Sequence, residues 1–140
     1  AQSTSIPIAT GERLAFIHDF QKLFDAGACH FAQPDTGSCG GITGAKAIAT
    51  LAEAHYVLMA PHVWGGPLIT AAAVQISASI QNFLILESIY KSNLFFDEIV
   101  KEPFVWEDGD LLVPDRPGLG IELDEEKLEE HKVDRSIRVY

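Results

Sequence analysis

Glu12, Asp35, His62 and Glu87 follow one another through this 140-residue chain at intervals of about 25 residues, the length of one strand plus one helix. Each closes a short extended or apolar run and opens a loop. A glutamate at such a place can bind a hard cation such as Mg²⁺ through oxygen. An aspartate beside a histidine holds its Nδ1–H and raises its basicity, which makes a general base. A second glutamate can hydrogen-bond a developing oxyanion if burial or a like charge keeps it protonated. Any one of these residues alone is an ordinary loop opener. Four ionisable residues at four successive strand ends point to one shared site.

The elements that must position them alternate regularly. Ser5–Thr10 reads as a strand with Pro7 near its start, ended by Gly11-Glu12. Arg13–Ala26 has a helical pattern, with Phe16, Phe20, Leu23 and Phe24 on one face and Gly27 as its C′ residue. His30–Gln33 is the second strand, running into Pro34-Asp35 and the loop Gly37-Ser38-Cys39-Gly40-Gly41. Ile42–His55 is helical, with Ile42, Ala45, Ile48, Ala49 and Ala52 on one face. Val57–Ala60 is the third strand, stopped by Pro61 before His62. Pro67 opens a third helix to about Ser79, and Phe83–Leu86 is the fourth strand, ending at Glu87. Strands linked this way form a parallel sheet with right-handed crossovers. Their apolar runs predict burial on both faces, and reactive groups in such folds gather at the carboxyl ends of the strands. Beyond Ile89 the alternation stops. Phe104–Trp106 and Leu111–Val113 flank Glu107-Asp108-Gly109-Asp110 as a hairpin, Asp124 caps a short charged helix from Glu125 to His131, and Val133–Tyr140 carries no assignment.

Composition narrows the partners. A formal charge of −10 opposes binding to nucleic acid or to an anionic membrane surface. The longest apolar run, Ala71–Ile80, is interrupted by Gln75, Ser77 and Ser79 and falls short of the ~18 residues of a membrane helix. Cys29 and Cys39 flank the second strand, too far apart for a disulfide, and read as reduced thiols of a cytoplasmic protein.

Four segments together resemble a known family: Ile6-Pro7-Ile8-Ala9-Thr10-Gly11-Glu12-Arg13, Gln33-Pro34-Asp35 with Gly40-Gly41-Ile42-Thr43, Ala60-Pro61-His62, and Asn82-Phe83-Leu84-Ile85-Leu86-Glu87. They are similar to the enolase superfamily, mandelate racemase-like group, and within it to acid-sugar dehydratases of the galactonate dehydratase kind. The match runs from about Ser3 to Ile89 and loosely on through Pro117–Gly120. The resemblance implies an α/β fold, the C-terminal half of a TIM-type (β/α) barrel with four parallel strands. Residues 1–100 would form that half-barrel, and residues 101–140 a hairpin, loop and short helix packing on a capping domain. It implies Glu12 as the last of three carboxylate ligands to Mg²⁺, Asp35 and His62 as the dyad that moves a proton alpha to a carboxylate, and Glu87 as the group that hydrogen-bonds the enediolate. In the dehydratases a β-hydroxyl then leaves and a 2-keto-3-deoxy sugar acid forms. A whole TIM barrel needs about 250 residues, so this stretch is expected to work as part of a longer or multi-chain enzyme, to be inactive alone, and to form a homo-oligomer. The competing expectations are a racemase or epimerase using the same chemistry, and a non-catalytic half-barrel that serves in assembly.

Other residues have weaker readings. Trp64 is either a wall of the substrate pocket or packing beneath its own loop. The glycine loop 37–41 could cradle an anion at a helix start, but it matches neither the dinucleotide nor the P-loop pattern and reads more simply as a tight βα loop. Cys39 reads as inert. His30 belongs at the opposite end of its strand from Asp35, and His18, His55 and His131 at the surface or at helix ends.

Overall fold

The hydrophobic periods of the first 80 residues call for helices that each cover one face of a parallel sheet. The computed structural model of the chain describes residues 1–89 and 96–132. Its first part runs β1 (Ala9–Thr10), α1 (Ile17–Asp25), β2 (Phe31–Ala32), α2 (Gly41–Ala54), β3 (Leu58–Met59) and α3 (Pro67–Ala78). The three strands lie side by side in chain order and are all parallel, with Ala9 opposite Phe31 and Phe31 opposite Leu58. Consecutive parallel strands returning through helices make one arc of a (β/α) barrel.

The fourth expected strand continues this arc in a reduced form. Phe83 bridges Met59 in parallel, Met59 N donates to Asn82 O at 2.7 Å, and Leu84 N donates to Met59 O at 2.8 Å. Residues 84–86 carry no regular strand. Among the described residues they have a strand neighbour on the β3 side only, so no second ladder holds them. Asn82 pins the start of this segment. It is buried, and its Nδ2 donates to Ala49 O at 3.1 Å and to Val57 O at 3.0 Å.

Burial corrects the expectation of strands covered on both faces. Ala32 and Met59 are fully buried against α1 and α2, in one cluster with Phe20, Phe24, Ile48 and Ala52. On the opposite pleat Leu58 and Ala9 are exposed, and Thr10, although it shares the pleat of Ala32 and Met59, is exposed as well at the open edge of β1. Ile85, in the edge segment, is 62% exposed. The helices cover one face, and nothing among the described residues covers the other.

Helix ends explain two further corrections. Phe16 was expected on the buried face of α1, but it is the N-cap, with extended backbone, and lies 62% exposed, stacked on His18. Outside the helix it does not share the angular period of Phe20 and Phe24. Ile42, in the first turn of α2, is likewise exposed, while Ala45, Ile48, Ala49 and Ala52 are buried. The α1 exit agrees with the sequence. Gly27 takes φ +56°, Gly27 N donates to Phe24 O and Ala28 N to Leu23 O, which is a Schellman motif.

Past the sheet, β4 (Trp106–Glu107) and β5 (Asp110–Leu111) pair antiparallel around Asp108-Gly109, both with positive φ, as a two-residue primed turn requires. Asp124 caps α4 (Glu125–Glu130), its Oδ1 accepting from Lys127 N. Phe96, Phe104, Trp106, Leu111 and Ile121 form a second cluster against Ala71 of α3, so this part packs on the helix layer. The tail Val133–Tyr140 lies outside the described residues.

Candidate active site

β1, β2, β3 and the edge segment all point the same way, so the loops at their carboxyl ends meet on one rim. Gly11 turns the chain out of β1 at φ +131°, a conformation side chains rarely adopt, and a Cβ there would lie 2.7 Å from the Phe20 ring. Glycine is therefore required for room and for backbone at the residue that delivers Glu12. Pro34 and Pro61 end the next two strands, and beyond them Asp35 and His62 form an isolated parallel bridge, with His62 N donating to Pro34 O at 3.2 Å.

This bridge brings the two side chains together. His62 Nδ1 lies 2.7 Å from Asp35 Oδ2, while Asp35 Oδ1 accepts from Gly37 N at 2.6 Å. An ionised carboxylate can only accept, so Nδ1 carries the proton that meets Asp35, and in the neutral tautomer Nε2 is the acceptor. Nε2 stands 3.8 Å from Glu12 Oε2 and 3.7 Å from Glu87 Oε2. All four residues singled out from spacing thus meet around one imidazole. Asp35 is buried, and the His62 side chain nearly so. Glu12 and Glu87 stay about half open, at 55% and 41% side-chain exposure, where a ligand can reach them. Glu87 is steadied by the rim itself, its Oε2 accepting from Val63 N at 3.0 Å.

Trp64, on the same rim, is 71% exposed, which removes the reading of a side chain packed beneath its loop. Two groups of this constellation escaped sequence reasoning. The Val63 amide that holds Glu87 leaves no mark in the sequence. The Gly37 amide does: a glycine two residues after an aspartate is the pattern of an Asx turn.

Glu12 is the more exposed of the two open carboxylates, at 55% against 41% for Glu87, whose Oε2 already accepts from Val63 N; Glu12 Oε1 is 3.7 Å from exposed Arg13. Among the described residues no group of three or more His, Cys, Asp or Glu could hold a metal ion. Glu12 therefore fits a hard cation as one ligand of a larger set, not as a site by itself.

Cys29 and Cys39 are free and buried. Burial pushes the Cys39 thiol up to about 11, and the Asp35 charge adds to the rise. Below that range, each pH unit lost lowers the thiolate about tenfold. We expect Cys39 in the folded protein to alkylate with iodoacetamide at least ~100-fold slower at pH 8 than after denaturation, accelerating as pH rises towards its pKa. Rapid native labelling at neutral pH, read by mass spectrometry, would contradict this inert assignment.

The sequence pattern of the family described as enolase C-terminal domain-like matches residues 1–127. A D-galactonate dehydratase of Variovorax paradoxus (strain S110) is 35% identical over 134 residues, covering 91% of this chain and 35% of that relative. A D-galactarolactone cycloisomerase of Agrobacterium fabrum is 36% identical over 136 residues, covering 91% and 36%. The crystal structure of a mandelate racemase/muconate lactonizing enzyme from Jannaschia sp. CCS1 superposes with a TM-score of 0.88 at 39% identity, covering 96% of this chain and 34% of that one. The chain spans about a third of the length of the relatives it matches.

Proposed function

The chain belongs to the enolase C-terminal domain-like family, and from that premise we propose that it supplies the proton-transfer half of an acid-sugar dehydratase. The observation that carries the reading is the orientation of His62. Asp35 occupies Nδ1 and leaves Nε2 as the basic nitrogen among three carboxylates, 3.7–3.8 Å from two of them.

In this reading His62 Nε2 takes the proton alpha to the carboxylate of a sugar acid. Asp35 keeps the ring in the productive tautomer and stabilises the imidazolium that results. Charge gathers on the substrate carboxylate oxygens as the C–H bond breaks. Glu87 supplies a hydrogen bond to one of them, a role that needs its carboxyl to hold a proton at that moment. Glu12 is the residue of this chain that would hold Mg²⁺, which when bound offers electrostatic stabilisation to those oxygens. Departure of the β-hydroxyl as water, taking up a proton for which the His62 imidazolium is the donor this chain supplies, then gives the enol of a 2-keto-3-deoxy acid. In this reading exposed Trp64 forms a wall of the substrate pocket. The remaining ligands, the other strands and the capping domain belong, in this proposal, to polypeptide beyond the chain. Exposed Val105, Leu112 and Val113 are the surface on which we place the capping domain.

A second reaction on the same chemistry has a specific support, the relative named as a cycloisomerase. It shares with dehydration the removal of an α-proton and differs in the fate of the resulting carbanion.

The test uses the intact protein with Mg²⁺ and five- and six-carbon sugar acids in D₂O. A 2-keto-3-deoxy acid product carrying one solvent deuterium at C3 supports dehydration. Deuterium entry with an isomer and no keto acid supports the second reading. Neither α-exchange nor a 2-keto acid or isomer from any sugar acid would overturn both.

A further inference from the structure

We propose that Ile69 is a positioning residue, a wedge in the first turns of α3 that sets the separation of the two loops joined by the Asp35–His62 hydrogen bond. The inference rests on the proton-transfer reading above for its consequence, but its geometry stands independently.

Ile69 touches both loops at glycines. A Cβ on Gly37 would lie 2.9 Å from Ile69 Cδ1, and one on Gly65 would fall well inside contact distance of the same methyl. Neither glycine has a positive φ, so their backbones would accept alanine. What these positions require is space for one methyl group. Thr36 Oγ1 also donates to Ile69 O at 3.4 Å, tying the same helix turn to the Asp35 loop. Thr36 itself is buried.

Gly37 lies two residues beyond Asp35, and Gly65 three beyond His62. The Ile69 methyl therefore sits between the loops that hold the two halves of the dyad, and the 2.7 Å Nδ1···Oδ2 distance depends on how far apart it keeps them. Gly37 couples directly as well: its N–H holds Asp35 Oδ1, and its added Cβ would come within 3.0 Å of that oxygen. A misplacement of ~1 Å distant from the chemistry can cost ~10²-fold in rate.

The test is a relocation of one methyl in the intact protein. Gly65→Ala adds a carbon where Cδ1 sits. Ile69→Val removes Cδ1 and leaves the nearest remaining Ile69 atoms 3.3 Å from the new carbon. By proton NMR at fixed pH, the far-downfield Nδ1–H signal of His62 is expected to vanish or shift in Gly65→Ala and to return in Gly65→Ala/Ile69→Val. In turnover, Gly65→Ala should lose ~10²-fold in kcat with KM little changed, and the double variant should recover most of it. If the His62 signal is unaltered in folded Gly65→Ala, or is not restored in the folded double variant, the positioning role is overturned. Should Gly65→Ala fail to fold, Ile69→Val alone decides: it should weaken the signal, and an unaltered one overturns the proposal. If the signal responds but no variant or wild-type protein exchanges an α-proton, the positioning role stands and the functional reading falls.

Discussion

Replacement of His62 by asparagine in the intact protein is expected to abolish exchange of the substrate α-proton with solvent deuterium while leaving metal binding in place. His62 Nε2 is the basic nitrogen of the rim, since Nδ1 is committed to Asp35 at 2.7 Å. Asparagine keeps a polar side chain of similar reach but has no group that accepts a proton near neutral pH. Loss of a general base typically costs ~10²–10⁴-fold, and more when it acts within a unit. Metal should be retained because the ligand assigned from this chain is Glu12, 3.8 Å from the imidazole. Asp35→Asn should slow the same step by less. The Gly37 amide can still bond the side-chain oxygen, but an amide nitrogen facing Nδ1 would favour the wrong tautomer. Near-normal exchange in His62→Asn, or loss of its metal, would overturn the assignment.

The second large effect is expected at Glu12. In the intact protein Glu12→Gln should lose Mg²⁺ affinity by more than the ~10–100-fold typical of an outer hydrogen-bond partner, and α-proton exchange should fall with it. The fold should survive, because the Glu12 side chain is 55% exposed and its neighbours are Arg13 and His62, both at ion-pair distance rather than in packing contact. Isothermal calorimetry compares the two proteins, and circular dichroism confirms the shared fold. The chain alone should bind Mg²⁺ weakly in either form, because Mg²⁺ surrenders its water reluctantly to a single carboxylate. Micromolar affinity in the isolated chain, or unchanged affinity in Glu12→Gln, would count against the ligand role.

The rim was legible because barrel geometry converts sequence interval into position. One βα unit has a nearly constant length, so residues about 25 apart that close successive strands must arrive at the same end of the sheet. The edge segment at 83–86 was less legible. Its apolar residues announce a strand, yet among the described residues only a bridge from Phe83 to Met59 and single backbone bonds from Leu84 and Glu87 tie it to the β3 side, and residue type alone does not show how far a ladder will run. Phe16 misled for a different cause. Apolar spacing marks a helical face only within a helix, and the chain turns helical one residue after Phe16.

By itself the sequence determined what depends on a few adjacent residues. Gly27 ends α1, Asp108-Gly109 closes the hairpin, Asp124 caps α4, and Pro34 and Pro61 stop two strands before Asp35 and His62. Local φ/ψ preference and nearby hydrogen bonds decide these, and both are written in residue type. The tertiary structure alone decided that the Val63 amide holds Glu87, that His62 Nε2 stands between Glu12 and Glu87, and that one methyl of Ile69 rests against Gly37 and Gly65. Such contacts join residues distant in the chain, and their partners depend on how strands pair and how a helix settles on a sheet. No local preference encodes that crossing geometry, because it emerges only when the whole core is packed.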